Sequence, residues 1–400
     1  TCFFGRGDAY AVILICIYFH ERKFLSREHV EYMNERILSV FGQLSAAFAP
    51  TGCEHERISV ISGLLSDVGV DFSVDRRGSL TAVLHGREIG AGLAFVTHID
   101  SHGMMVTSVS ENGSSFEPSA YLCTDTVYGK LVTLGTADRR TDGVVCAVPL
   151  HLTSRRDALK IPDCCDMFIS VGNPDVQESM ADSDDRISSE SGVNSACGVN
   201  PDCCADGKHP GISPGDYIAI KPYDTVLGER LLASTSTESC GAAASRLAVL
   251  FGLSEEGFVP RRDISFIFAV GGKSAVPDAV CAVRSAMPRA AIYVAAAAEH
   301  SEDGIIIPCK LGRAVCAPEL RADIASAAER IGATYRVTAE LEAPVPLRAL
   351  QTVGAGIFAA VIAVPTEMPN AARQICSIAS LEAAASVISA IAESDMLGCG

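Results

Sequence analysis

The spacing of apolar and polar positions divides the chain into segments of different predicted structure. Residues 35 to 70 have the 3.6-residue period of amphipathic helices, interrupted at Ala49-Pro-Thr-Gly52. In the second half of the chain, apolar runs typical of fully buried strands alternate with helical segments. The predicted strands are 92–97, 264–270, 292–296 and 357–364, and the predicted helices are 239–251, 318–331 and 381–391. This alternation predicts a three-layer α/β/α domain.

A different pattern occupies the middle of the chain. Between residues 104 and 220, short β-like runs alternate with turns, which predicts a small β-rich domain inserted into the α/β domain. We therefore predict an amino-terminal extension at 1–34, an α/β domain formed by 35–105 and 230–400, and the inserted domain at 106–229. Residues 181–212 are rich in Ser, Asp, Gly and Cys, which predicts a flexible insertion.

Charge and cysteine content narrow the function classes. The net charge of −16 disfavours nucleic acid and anionic membranes as partners, because both usually require a basic surface. The 16 cysteines are scattered through a long chain, which predicts reduced thiols and a cytoplasmic location. The apolar run at 9–19 is too short to span a bilayer, and no typical signal-peptide cleavage site follows it.

An ordered series of motifs extends over residues 36 to 392. It includes Glu54-His-Glu-Arg-Ile58, the turn at 74–80, Thr97-His-Ile-Asp100, the segment 143–151 and Val361-Ile-Ala-Val-Pro-Thr366. The series resembles the tetrahedral aminopeptidases, a family that includes glutamyl and deblocking aminopeptidases and relatives described as cellulases. The resemblance implies a metallopeptidase domain of the phosphorylase/hydrolase-like type and an inserted small β-barrel that serves dimerisation. It also implies assembly into dodecamers and a site for two divalent ions, Zn or Co.

The resemblance implies which positions would form the metal site. His98 stands at the first ligand position, and Asp100 stands at the position of the carboxylate that supports it. The positions of the bridging carboxylate, the general base and three further ligands are occupied by Thr237, Gly272, Lys273, Ala295 and Asn370. A hydroxyl is a poor bridge between two cations, an ammonium group repels them, and a single imidazole does not hold and acidify a metal-bound water.

These replacements predict a catalytically inactive member of the family, with no metal cofactor, that acts as a structural or regulatory subunit. The expected partners are further copies of the chain or an active paralogue. Two alternatives remain open: a metal-dependent hydrolase with a remodelled site, and a peptide-binding protein that uses the old cleft.

Three other residue groups are candidates for chemistry. His98, Asp100 and His102 are spaced to share one face of an extended segment, and therefore form a candidate mononuclear site. Ser239 and Cys240 are candidate nucleophiles, but no G-x-S-x-G elbow surrounds them, and Ser239 is better interpreted as a helix cap. A candidate zinc site without the C-x-x-C spacing of strong motifs comprises Cys197, Cys203, Cys204 and His209.

Overall fold

The computed structural model describes residues 27–110, 113–119, 121–136, 139–148, 160–171, 211–272, 276–343 and 345–394. The chain forms two compact units, one built from residues 102–221 and the other from the residues before and after them. The sequence placed these boundaries at 105/106 and 229/230. The second boundary lies earlier in the structure because strand Thr225–Leu227 pairs with the sheet of the α/β unit.

The first part of the α/β unit contains two helices and three strands. They are α1 (Arg27–Ala46), α2 (His55–Val68), β1 (Phe72–Val74), β2 (Leu80–Leu84) and β3 (Leu93–His98). Helix α1 begins inside the segment that the sequence assigned to an extension, and it buries one apolar stripe formed by Met33, Ile37, Val40, Phe41 and Leu44. The two predicted helical segments on either side of residues 49–52 are confirmed, as is the hairpin that joins β1 to β2.

The inserted unit is a closed barrel of six strands. They are β4 (Gly103–Ser110), β5 (Gly113–Pro118), β6 (Leu131–Gly135), β7 (Arg140–Ala147), β8 (Met167–Ser170) and β9 (Tyr217–Ile220). The order around the barrel is β4-β5-β8-β7-β6-β9, and every pair in it is antiparallel. The fully buried side chains on these strands include Val106, Phe116, Val132, Leu134, Val145 and Ile169. The predicted small β-barrel is therefore confirmed.

The rest of the α/β unit alternates strands and helices. Its strands are β10 (Thr225–Leu227), β11 (Leu231–Ser234), β12 (Ile264–Ala269), β13 (Ala290–Ala298), β14 (Ile305–Leu311), β15 (Ala314–Val315), β16 (Tyr335–Leu341), β17 (Phe358–Glu367) and β18 (Gln374–Ser377). Its helices are α3 (Thr237–Glu255), α4 (Val276–Ala286), α5 (Pro318–Ile331), α6 (Leu347–Gln351) and α7 (Ile378–Glu393).

One mixed sheet of twelve strands forms the middle layer of this unit. Its main order is β1-β2-β12-β3-β13-β17-β18-β11-β10, and β14 joins β15 and β16 to β17. The four neighbouring strands β12, β3, β13 and β17 are parallel. All six residues of β3 and of β12 are buried, so both faces of the sheet are covered there, as expected of a parallel sheet. Helices α3 and α4 both contact β3. The predicted three-layer α/β/α fold is confirmed.

Some predictions fall outside the described residues. They concern residues 1–26, most of the insertion at 181–212, and the candidate zinc ligands Cys197, Cys203, Cys204 and His209. Within the described part of the chain, no helix is both long enough and apolar enough to cross a membrane.

Candidate functional site

The carboxyl ends of the parallel strands meet at one edge of the sheet, where ligand sites of α/β folds form. His98 is the last residue of β3 and lies opposite Ala269 of β12. Gly271 and Gly272 follow β12 after one intervening residue, Val270. Ala295 lies on β13, next to Ala363 of β17. The fold therefore places the sequence-predicted positions near a common edge.

His98 is buried, and polar groups contact both nitrogens of its ring. Its Nδ1 lies 3.1 Å from the Tyr293 hydroxyl, and its Nε2 lies 3.8 Å from Oε1 of Glu238. The Tyr293 and His98 rings are also stacked, with 6.4 Å between their centroids. The imidazole is therefore held between a phenol and a carboxylate of its own chain.

Asp100 is buried beside the loop that follows β12. Its Oδ2 accepts a hydrogen bond of 2.6 Å from the Thr51 hydroxyl, while its Oδ1 has no hydrogen-bond partner among the described residues. Gly272 has a φ of +61°, and a Cβ added there would overlap the carboxylate, lying 2.7 Å from Oδ1 and closer still to Oδ2. The carboxylate thus occupies the space into which a side chain at position 272 would project.

Glu54 is a second buried carboxyl group at this edge. Its Oε1 accepts hydrogen bonds from the backbone N–H of Gly52, at 2.9 Å, and of Gly271, at 2.8 Å. Burial raises the pKa of the Glu54 carboxyl, and the negative charge of Asp100 adds to this effect. Through these hydrogen bonds, Glu54 connects the start of α2 to the loop after β12.

The amino end of α3 supplies the remaining polar groups. Thr237, at the bridging position, donates its hydroxyl to the backbone oxygen of Gln374 at 3.3 Å. The backbone N–H of Glu238 donates to Oε1 of the same glutamine at 2.8 Å. The helix begins at Thr237 with Ser236 as its N-cap, so the interpretation of Ser239 as the cap is wrong. Ser239 instead lies inside the first helical turn and is buried, as is Cys240.

A buried arginine lies in the core beneath this edge. Arg246 on α3 is 0% exposed, and its three guanidinium nitrogens have no hydrogen-bond partner among the described residues. Its guanidinium lies over the ring of Phe268, 5.3 Å from the centroid. Burial lowers the pKa of Arg246 to about 9 and raises that of Tyr293, whose charged form the carboxylates of Asp100 and Glu238 further disfavour. Tyr293 therefore stays a neutral phenol.

A second buried arginine holds the segment that carries Asp100. Arg57 on α2 donates to the backbone oxygens of Leu44 at 2.8 Å and Ile99 at 2.5 Å, and to Oγ of Ser101 at 2.8 Å. The guanidinium thus connects the end of α1, helix α2 and the residues on both sides of Asp100. The shape of this edge is maintained by the protein's own hydrogen bonds.

The other sequence-predicted positions are less closely grouped. Ala295 is buried in β13 and presents only a methyl group. Asn370 is half-buried in the turn between β17 and β18. Lys273 lies outside the described residues. His102 belongs to the barrel unit, where it precedes β4.

These side chains do not fit a pair of divalent ions. Such ions need several imidazole or carboxylate donors and a carboxylate that bridges them. Within the described residues, no group of three His, Cys, Asp or Glu side chains is arranged to hold a metal ion. The bridging position holds a hydroxyl that already donates to Gln374, and Ala295 has no donor atom. Asp100 Oδ1 is the atom that most resembles a vacant ligand, and His98 is already paired with Tyr293 and Glu238.

Sequence reasoning missed four residues that shape this edge: Thr51, Tyr293, Gln374 and Arg246. Tyr293 appears in the sequence as one more residue of an apolar strand run, and Arg246 as a polar residue of an Ala-rich helix. Gln374 lies eight residues after the last motif, and no recognised motif surrounds it. Only Thr51, inside a segment already recognised as an interruption between helices, carried a local signal.

Comparison with known proteins gives one family match, over part of the chain, and several solved structures of similar fold. Residues 78–189 match the family model of M42 glutamyl aminopeptidase. Comparison with curated protein sequences gives no significant match. Among solved structures, a TET aminopeptidase from a marine sediment thaumarchaeon has a TM-score of 0.75 at 16% identity, covering 89% of this chain and 96% of that one.

Two further structures have the same fold. The TET1 peptidase of Pyrococcus horikoshii, described as assembling into a tetrahedron or a large octahedral shell, has a TM-score of 0.69 at 17% identity, covering 89% of this chain and 99% of that one. An endoglucanase of Thermotoga maritima has a TM-score of 0.62 at 18% identity, covering 88% and 96%. The family match over residues 78–189 and this shared fold support the predicted resemblance of the chain to the M42 glutamyl aminopeptidases.

Proposed function

We propose that this chain keeps the aminopeptidase scaffold without hydrolysing peptides, and that it acts as a structural or regulatory subunit in the cytoplasm. The observation that carries the proposal is the close approach of Gly272 to Asp100. The general base of the family would stand at position 272. Here that position has no side chain, and the space beside it is filled by a carboxylate that Thr51 holds in place.

The donor chemistry supports the same conclusion. Peptide hydrolysis at such a site needs a water molecule that is acidified by metal and a carboxylate that accepts its proton. His98 is engaged by its own chain on both sides, and Thr237 and Ala295 offer no anionic ligand. Lys273, at the remaining ligand position of this loop, would add a positive charge that opposes metal binding.

Metal content tests the proposal most directly. We expect the purified chain, loaded with Zn or Co and then desalted, to retain much less than one ion, while an intact family member treated in the same way retains two. A retained stoichiometry near two ions per chain would refute the proposal.

An activity assay provides the second test. We expect no aminopeptidase activity above background with Zn, Co or Mn. If activity is found, His98→Ala and the surface control His85→Ala distinguish a remodelled site from a contaminating peptidase. Activity that H98A abolishes and H85A preserves would establish the alternative, a metal-dependent hydrolase.

The subunit role predicts assembly. The solved relatives include a dodecamer and a peptidase that forms a tetrahedron or an octahedral shell. We propose that this chain forms homo-oligomers, or mixed oligomers with an active paralogue. Sedimentation of the chain alone and mixed with that paralogue tests this, and a monomeric mass in both experiments would contradict it.

A further inference from the structure

Two cysteines face each other across a tight hairpin on the side of the α/β unit. In the β14–β15 hairpin, Lys310 pairs with Val315 and Leu311 with Ala314, so the next pair outward is Cys309 and Cys316. The backbone N–H of Cys316 donates to the oxygen of Cys309 at 2.9 Å, which continues the ladder to this pair. Directly opposed residues of an antiparallel pair point to the same face, so both thiols lie on one side of the hairpin.

The backbone geometry is compatible with a disulfide bond. Opposed residues of a hydrogen-bonded antiparallel pair have Cα atoms about 5.5 Å apart. Disulfide-bonded cysteines have Cα atoms about 4.4–6.8 Å apart. Their Cβ atoms must approach more closely, to about 3.8 Å, than is usual for opposed strand residues. A bond here would therefore be strained, and strained disulfides are readily reduced again.

A positive charge lies against one of the two sulfurs. Arg321, in the first turns of α5, donates from Nη1 to Sγ of Cys309 at 2.8 Å. Helix α5 has 14 residues and begins at Pro318, directly after the hairpin, so its positive amino end also faces this region. A cation in this position can donate to the negative charge that develops on sulfur during thiol–disulfide exchange.

The two thiols differ in access. Cys309 is half-buried, whereas Cys316 is 0% exposed. Burial raises the pKa of Cys316 to about 11, although Arg321 acts in the opposite direction. Reagents in solution therefore react with Cys309 first. Cys316 can react only afterwards, with the Cys309 sulfur once that sulfur is part of a mixed disulfide.

We propose that Cys309 and Cys316 form a redox modification site that reacts with low-molecular-weight disulfides, with Cys309 as the attacking thiol and Cys316 as the resolving thiol. The Cys309 thiolate attacks one sulfur of the small disulfide, forms a mixed disulfide and releases one thiolate. Cys316 then attacks the Cys309 sulfur, and its proton passes to the second small thiolate, which leaves as a thiol. Two electrons pass from the cysteine pair to the small disulfide, which leaves as two thiols.

Peptide mapping of the full chain tests this proposal. The reduced protein is incubated with glutathione disulfide, its remaining thiols are alkylated, and it is digested with trypsin. The cleavage sites Arg289, Lys310, Arg313 and Arg321 place the two cysteines on peptides 290–310 and 314–321, each of which contains no other cysteine. We expect these two peptides to be joined, and to separate again when a small thiol is added.

Variants assign the roles of the residues. C316S should keep a glutathione adduct on Cys309, and C281S, which removes an exposed cysteine elsewhere, should form the bond as the wild type does. R321Q should slow the reaction of Cys309 by about threefold to tenfold, since one charge-assisted contact to sulfur is lost. R313Q, which removes an exposed arginine of the same hairpin, should leave the rate unchanged.

The wild-type experiment alone can overturn the proposal, so the outcome does not depend on whether a variant folds. Three results would do so: joining of Cys309 to a different cysteine, stable glutathione adducts without a Cys309–Cys316 bond, or reaction of Cys309 no faster than Cys281.

Discussion

Replacement of Gly272 by alanine measures the energetic cost of placing a Cβ where the Asp100 carboxylate lies. Two costs are expected. A residue other than glycine at a φ of +61° is strained by about 1–2 kcal/mol. The added Cβ would also displace the Asp100 carboxylate from the Thr51 hydroxyl, and loss of a hydrogen bond to a charged group costs about 1.5–3 kcal/mol. The sum is a destabilisation of about 2.5–5 kcal/mol.

Gly257 provides the matched control. Its φ is +63°, but nothing lies within 4 Å of an added Cβ. G257A should therefore cost only the strain, about 1–2 kcal/mol. Urea denaturation of the wild type, G272A and G257A, followed by circular dichroism, gives the three free energies of unfolding.

A double-mutant cycle isolates the contact. In a D100A background the carboxylate is absent, so the extra cost of G272A over G257A should largely disappear. Equal costs of G272A and G257A in the wild-type background would refute the idea that Asp100 closes this space. The main support for the proposed function, the close approach of Gly272 to Asp100, would then be lost as well.

Three further changes test the buried polar groups. R246M should leave the free energy of unfolding unchanged or raise it by up to about 4 kcal/mol at pH 7, because it removes a buried cation without a hydrogen-bond partner; a loss of stability would show that the guanidinium has an anionic partner. E54Q keeps an oxygen that accepts from Gly52 and Gly271. Because the pKa of the folded-state carboxyl is raised, the stability that Glu54 contributes below about pH 4.5 is lost as the pH rises through that raised pKa. E54Q should therefore match the wild type near pH 4 and exceed it at pH 8 in urea denaturation, whereas a constant difference would contradict this assignment. Q374A should cost about 2–3 kcal/mol by the same measurement, because it removes the hydrogen bonds of the Gln374 amide with the N–H of Glu238 and with the oxygen of Pro369; a cost below about 0.5 kcal/mol would contradict this role.

The fold was largely predictable because its strongest signals are local. The apolar run at 264–269 and that at 359–364 are buried parts of strands, as their composition indicates. Helix α5 has its predicted bounds and buries all five predicted residues, Leu320, Ile324, Ala327, Ala328 and Ile331. In these segments, the spacing of apolar residues matches the residues that are buried in the structure. The local sequence is therefore sufficient to predict them.

The missed elements are those whose environment is set by distant parts of the chain. Strand β16 is mostly exposed, with a burial pattern that lacks strict alternation, so it has no clear sequence signal. Strand β10 has only three residues, and its pairing with β11 determines to which unit it belongs. Sequence patterns do not contain such pairing information.

The candidate site shows the same division. The sequence indicated His98 and Asp100, because they stand at the end of a recognisable strand and match positions that the family resemblance implies. It did not indicate that Tyr293 and Glu238 would flank His98, since these residues come from β13 and α3 and meet it only after folding. The collision between position 272 and Asp100 depends on one backbone angle, which composition does not reveal.

The closed barrel has a consequence for the binding specificity between subunits. Its six strands form a closed ring, so most of their backbone groups pair within the unit and strand addition between copies is disfavoured at the ring. Recognition through this unit must then rely on exposed side chains, such as Tyr128 and Leu131, and Ile161 in the segment before β8. Side chains of this kind can change one at a time without disturbing the ring. In the proposed subunit, a few surface substitutions would therefore change which chains this unit binds, while the barrel stays intact.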